Sequence, residues 1–210
     1  MLRQPVPTPG NDTAEGSQKA EAILAHARQA FVEKGFDGAS MQDLARAAGM
    51  SASNFYRYFP SKAALVAAMI ARDLQEIDQG FQEIIASPDP LAAFRARLHE
   101  EIVKKCKGGD RLWAEIAATA ARKPEVAAAL GGLEEGISLR MAQVLGHLAG
   151  LSDNEAQARL GTHAHLIFLI MHGVMCGPSS KGSPDEALTD LVMRTIDGVI
   201  DDAIALAKDR

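Results

Sequence analysis

Apolar residues recur every three or four positions along much of the chain, as at Ala20, Ile23, Leu24, Ala27 and Phe31 and again at Leu65 and Met69. That spacing turns one face of a helix toward a core. No stretch alternates apolar and polar residues over the length of a strand, so the pattern predicts an all-α chain. Helix stops are legible at Gly35, Gly49, Pro88 and Pro90, Gly108-Gly109 and Pro124, several of them just after basic residues that suit a helix C-terminus. About nine helices result. The last, from about Asp185 to Lys208, is amphipathic, with Leu188, Leu191, Val192, Thr195, Ile196, Val199, Ile200, Ala203 and Leu206 on one broad face. Residues 161–177, GTHAHLIFLIMHGVMCG, fall short of the roughly 20 residues that span a bilayer and include His163, His165 and His172, so they read as a helix buried between helices.

Composition narrows the function classes. Hydrophobic residues make up 47% of the 210, enough for a packed core in one large or two small domains. The two cysteines, Cys106 and Cys176, have no paired spacing, which speaks against a disulfide scaffold and fits a reducing cytoplasm. The first residues, MLRQPVPTPGNDTAEGSQ, are polar and proline-containing without an apolar core, so no secretory signal is expected and residues 1–16 read as a disordered tail. A formal charge of −5, taken over the whole chain, disfavours nucleic acid. Its distribution matters more: residues 1–70 carry seven basic and six acidic side chains, whereas the rest carries 15 and 21. The acidity belongs to the C-terminal part, leaving the first part free to approach a polyanion.

Candidate chemistry concentrates in Ser40–Lys62, SMQDLARAAGMSASNFYRYFPSK. Ser40 with Asp43 three residues on can cap a short helix reaching Ala48, and Gly49 can end it in the left-handed conformation. Ser51 caps a second helix almost at once by taking the free N–H of Ser53 or Asn54. Small residues Ala45, Ala47 and Ala48 let the two helices cross closely. On the second helix Phe55 and Phe59 anchor inward, leaving Ser53, Asn54, Tyr56 and Arg57 on other faces. This arrangement offers one helix to a major groove, with hydroxyl, amide and guanidinium groups for base edges and phosphates, while Lys62 adds charge where Ser61 starts the next helix.

The run from Ser40 to Leu65, with its Asp43, Leu44-Ala45, Ala47-Ala48-Gly49, Tyr56, Phe59 and Ser61-Lys62, closely resembles the DNA-binding domain of TetR-type bacterial transcriptional repressors. The resemblance covers about residues 17–65 without gaps; the later residues are similar to the family's variable regulatory domain only in length, helicity and the phrase LWAEIAATAARKPEVAAAL. It implies a helix-turn-helix domain over 17–64 and a regulatory, dimerising domain over 65–210. It further implies that Ser40, Tyr56, Tyr58 and Lys62 hold phosphates, that Ala52, Ser53 and Asn54 following the cap Ser51 read bases, and that Arg46 and Arg57 flank them. Position 52, often basic or proline in relatives, is Ala here. Base readout must then lean on Asn54, Ser53 and an Ala52 contact with a thymine methyl.

The expected protein is a cytoplasmic homodimeric repressor that binds palindromic double-stranded operator DNA and is released by a small-molecule effector, without cofactor or catalysis. For the effector, the resemblance implies an apolar cavity between helices, and Phe94, Leu98, Trp113, Ile116, Met141 and Phe168 are its candidate lining. The two apolar C-terminal helices predict a four-helix dimer interface through Gly161, Ala164, Gly173, Leu188, Val192, Ile196 and Val199. A rival reading takes His165, His172 and Cys176, spaced along one helix face, as a soft-metal sensor site. Another takes the chain as a helical enzyme or binding domain with a vestigial motif. No nucleophile elbow, phosphate loop or HExxH is present to favour catalysis.

Overall fold

A computed structural model describes residues 14–106, 111–176 and 186–208. Among them nine helices follow in order: α1 (Ala14–Gly38), α2 (Met41–Ala47), α3 (Ala52–Tyr58), α4 (Lys62–Ala86), α5 (Pro90–Cys106), α6 (Arg111–Ala120), α7 (Pro124–Ala149), α8 (Asp153–Cys176) and α9 (Glu186–Lys208). No strand occurs among the described residues, as the periodicity predicts. The predicted tail lies outside the described residues as far as residue 13, as does the predicted break at Gly108-Gly109, and α1 begins at Ala14.

Backbone contacts divide the chain into two compact units, one running to Ala71 and taking in Ala114–Leu130, the other comprising Arg72–Trp113 and Gly131–Arg210. The first unit thus runs past the expected boundary at residue 64 and includes parts of α6 and α7. Its core buries Ile23, Ala27, Phe31 and Phe36 of α1 with Leu44, Phe55, Leu65 and Met69. One reason for the inclusion of Ala114–Leu130 is a bond 79 residues long in sequence: the Phe36 N–H donates to Glu115 Oε1 at 2.7 Å. Gly35 makes that N–H available, because at φ 72°, ψ 167° it breaks the helical path inside α1.

In the second unit α8 packs along α9, and α5 packs on both. Phe81, Phe94, Leu98, Ile102, Leu145, Leu160, Ile167 and Ile196 share one apolar cluster. Local signals set the helix limits: Asp89 Oδ1 accepts the Ala92 N–H at 3.0 Å ahead of Pro90 in the first turn of α5, and Glu155 returns to the Ser152 N–H at 3.0 Å to open α8. Arg95 ties α5 to α9 through Asp197 at 2.9 Å and Asp201 at 2.7 Å.

The α7–α8 crossing depends on a missing side chain. A Cβ at Gly146 would stand 2.3 Å from Ala156 Cβ, closer than any packed pair tolerates. Gly146→Ala should therefore force the helices apart at a cost of about 1–3 kcal/mol, against the usual gain from replacing a helical glycine. Gly132→Ala, in α7 with nothing within 4 Å of the added carbon, should instead stabilise by about 0.5–1 kcal/mol. Thermal midpoints that move in opposite directions check this pair; a Gly146→Ala protein as stable as wild type would contradict the crossing.

Candidate nucleic-acid interface

Residues 40–62 fold as their local chemistry dictates. Ser40 forms a reciprocal cap on α2: its hydroxyl oxygen accepts the Asp43 N–H at 3.1 Å, and its own N–H donates to Asp43 Oδ2 at 3.2 Å. The Ser40 hydroxyl, the Ser40 N–H and the nearby Lys34 ammonium hold the Asp43 carboxyl below its ordinary pKa. Arg46 lies 3.3 Å from Asp43 on the exposed side of α2. Gly49 turns the chain at φ 66°, a conformation that any side chain would strain. Ser51 then caps α3, its hydroxyl accepting the Asn54 N–H at 3.3 Å.

Two buried rings orient α3. Phe55 is fully buried and Phe59 nearly so, with ring centroids 6.2 Å apart. With that side of α3 turned to the core, Ser53, Tyr56 and Arg57 are exposed and Ala52, Asn54 and Tyr58 are half-exposed. Tyr56, 47% exposed, is a large ring left in solvent beside the exposed Ser53 and Arg57. Hydroxyl, amide and guanidinium groups therefore share one accessible helix held rigidly from behind, which suits edge recognition of a duplex.

Lys62 has a partner within the chain. Its ammonium donates to the Phe36 carbonyl at 2.6 Å and lies 4.7 Å from the centroid of the Phe36 ring. Sequence spacing could not disclose this, since the partner lies 26 residues earlier.

The remaining candidates fall in several places. Phe94, Leu98, Met141 and Phe168 converge on the apolar cluster of the second unit, where Trp113 is half-buried; Ile116 is buried in the first unit. Of the candidate dimer residues, Gly173 and Leu188 are exposed, Gly161, Val192 and Val199 are half-buried, and Ala164 and Ile196 are fully buried in the chain's own core. Gly173 and Leu188 fall on an exposed stripe that continues through Leu166 and Leu169 on α8 and Leu191, Thr195 and Gly198 on α9. A shallow hollow on it is bounded by Thr162, His163, Leu166, Thr195, Gly198, Val199 and Asp202, with His163 Nε2 3.0 Å from Asp202 Oδ2. His165 and His172 flank Phe168 in a ring stack with centroids 6.2 and 5.6 Å apart, and the Cys176 side chain lies outside the described residues. Among the described residues no three His, Cys, Asp or Glu side chains come together in a way that could hold a metal ion, and no helix is long and apolar enough to cross a membrane.

A capped pair of short helices with a rigidly backed, polar second helix defines a helix-turn-helix unit. Residues 23–69 match the family model of bacterial regulatory proteins, tetR family. The chain is 39% identical over 82 residues to the HTH-type transcriptional regulator EthR of Mycolicibacterium smegmatis, a match covering 38% of each chain. It is 34% identical over 119 residues to the HTH-type transcriptional regulator RutR of Escherichia coli, covering 54% of each. The chain thus spans about half the length, or less, of these relatives. Among solved structures, Salmonella enterica GusR is similar over 91% of this chain and 100% of its own, with a TM-score of 0.69 and 25% identity. Residues 23–69 thus carry the DNA-binding domain of the tetR family of bacterial regulatory proteins, and the chain is similar to transcriptional regulators of that family.

Proposed function

We propose that the protein is a homodimeric transcriptional repressor that reads a palindromic operator with α3 and is released by a small-molecule effector. The observation that carries the DNA half is the placement of α3: Phe55 and Phe59 fix its inner side, and Ala52, Ser53 and Asn54 follow directly on the cap at Ser51. In this reading Asn54 and Ser53 meet base edges, and Ala52 meets a thymine methyl. Tyr56, Tyr58 and Ser40 hold phosphates, flanked by Arg46 and Arg57.

The dimer half is supported by the apolar stripe on α8 and α9, which a second copy can cover with the same stripe to give a four-helix bundle. Two copies would set their recognition helices about 34 Å apart, one turn of the duplex. For the effector, support comes from the convergence of Phe94, Leu98, Met141 and Phe168, an apolar set that a ligand enters by displacing packed side chains. Linkage then requires ligand and operator to weaken each other by one common factor, commonly about 5- to 150-fold.

Asn54→Ala tests the reading at one side chain. It should cost about 1–3 kcal/mol of DNA affinity and relax preference at a single base pair in each half-site. Binding titrations against duplexes substituted at each position measure this; a uniform loss across all sequences would remove Asn54 from base readout.

A further inference from the structure

The backbone of one residue, Phe36, is gripped on both sides by charged side chains from other helices, at the N–H of one peptide unit and the carbonyl of the next. Its N–H donates to Glu115 Oε1 of α6 at 2.7 Å, and its carbonyl accepts from Lys62 Nζ of α4 at 2.6 Å. All three residues belong to the unit that carries α2 and α3. The break at Gly35 leaves the Phe36 N–H at the start of a new turn with no helical acceptor, so a carboxylate there both satisfies the donor and meets the positive end of that turn. The Phe36 ring is buried and stacked on Phe31 at 5.5 Å, while the Lys62 and Lys123 ammonium groups stand 4.7 and 5.7 Å from its centroid. Next in sequence, Asp37 pairs with Arg122 at 3.4 Å. The joint that leads from α1 into the capped helix α2 is thus held by Lys62 on one side and by Glu115, Arg122 and Lys123 on the other.

We infer that Glu115 is a positioning residue for DNA binding, gripping the Phe36 backbone opposite Lys62, and that Lys62 serves binding through this grip and not by pairing with a phosphate. The inference rests on the DNA-binding reading and goes beyond it, because it gives α6 a part in aiming α3 that no contact with DNA would reveal. Ser40, the cap of α2, begins only four residues after Phe36, so slack at this residue is passed directly to the recognition pair.

The test uses full-length protein and a duplex enriched from a random library by the wild type, with affinity followed across salt and amide exchange followed at Phe36. Glu115→Ala and Lys62→Met should each speed Phe36 exchange and weaken the duplex complex about tenfold or more, as loss of a hydrogen bond to a charged group does. Neither should change the salt slope, since no phosphate contact is lost. Glu115→Gln keeps a neutral acceptor and should recover most of the loss. The double variant should cost less than the two single losses combined, because both act on the backbone of one residue. Unchanged Phe36 exchange in Glu115→Ala, or unchanged affinity, would overturn the positioning role. A salt slope lowered by about one in Lys62→Met would return that residue to phosphate pairing. If the wild type enriches no duplex, the DNA-binding reading itself fails, which is a different outcome from enrichment by a wild type that Glu115→Ala matches.

Discussion

A protein carrying Leu166→Glu and Leu191→Glu should sediment as a monomer at micromolar concentration where the wild type sediments as a dimer, with its helical content intact. Both side chains are large, apolar and exposed, Leu166 at 44% and Leu191 at 54%, on the stripe that a second copy would cover. In the separated chain the new carboxylates stay in water and cost the fold little. In the bundle they would be buried without partners, at several kcal/mol for each copy. The DNA consequence is larger still. Two linked half-site contacts exceed one by about 10²–10⁴ in affinity, so the monomer should lose that factor on a two-half-site duplex. Ile196→Glu would not report on assembly, because Ile196 is fully buried among the chain's own helices and a charge there breaks the fold first. A double variant that remains dimeric would move the interface elsewhere.

Phe55→Ala should abolish DNA binding by releasing α3 from its backing. Phe55 is fully buried and meets Phe59, and truncating a buried Phe typically costs about 3–5 kcal/mol. That is a large share of the stability of a unit built on short helices. α2 and α3 have seven residues each, too few to persist without tertiary packing. Exchange of the amides in residues 41–58 should therefore accelerate together, and affinity should fall beyond measurement. Tyr56→Phe is the matched control: it removes one exposed hydroxyl, leaves the packing alone, and should weaken binding while the helices stay protected. If Phe55→Ala binds as wild type does, α3 is not the reading helix.

The helix-turn-helix was legible in the sequence because short-range rules decide it. Ser40 with Asp43, Gly49, and Ser51 with Asn54 each act within three residues, and the structure places every one in the conformation its spacing implies. Phe55 and Phe59, four apart, likewise had only one way to face inward. Lys62 and Glu115 were not legible. Their shared partner is the backbone of Phe36, which carries no sequence signature, at separations of 26 and 79 residues. The facing of α8 was left open by the sequence for a different reason. A helix apolar on nearly every side, as in Leu166-Ile167-Phe168-Leu169-Ile170-Met171, gives no periodicity to say which residues turn inward. Tertiary packing decided it, drawing Ala164, Ile167 and Phe168 into the core and leaving Leu166 and Leu169 outside. On α9 the same ambiguity spans a broad apolar face, of which Ile196 and Ile200 turned inward and Leu188 and Leu191 outward.

The account stands most directly on what the wild-type protein selects from random duplex DNA. Repeated rounds of capture, sequencing of the survivors and weighing of the resulting complex form one measurement. The predicted result is an inverted repeat with half-site centres about 10 base pairs apart, bound by two protomers. Survivors with no common sequence, or a specific site bound by a single protomer, would contradict it.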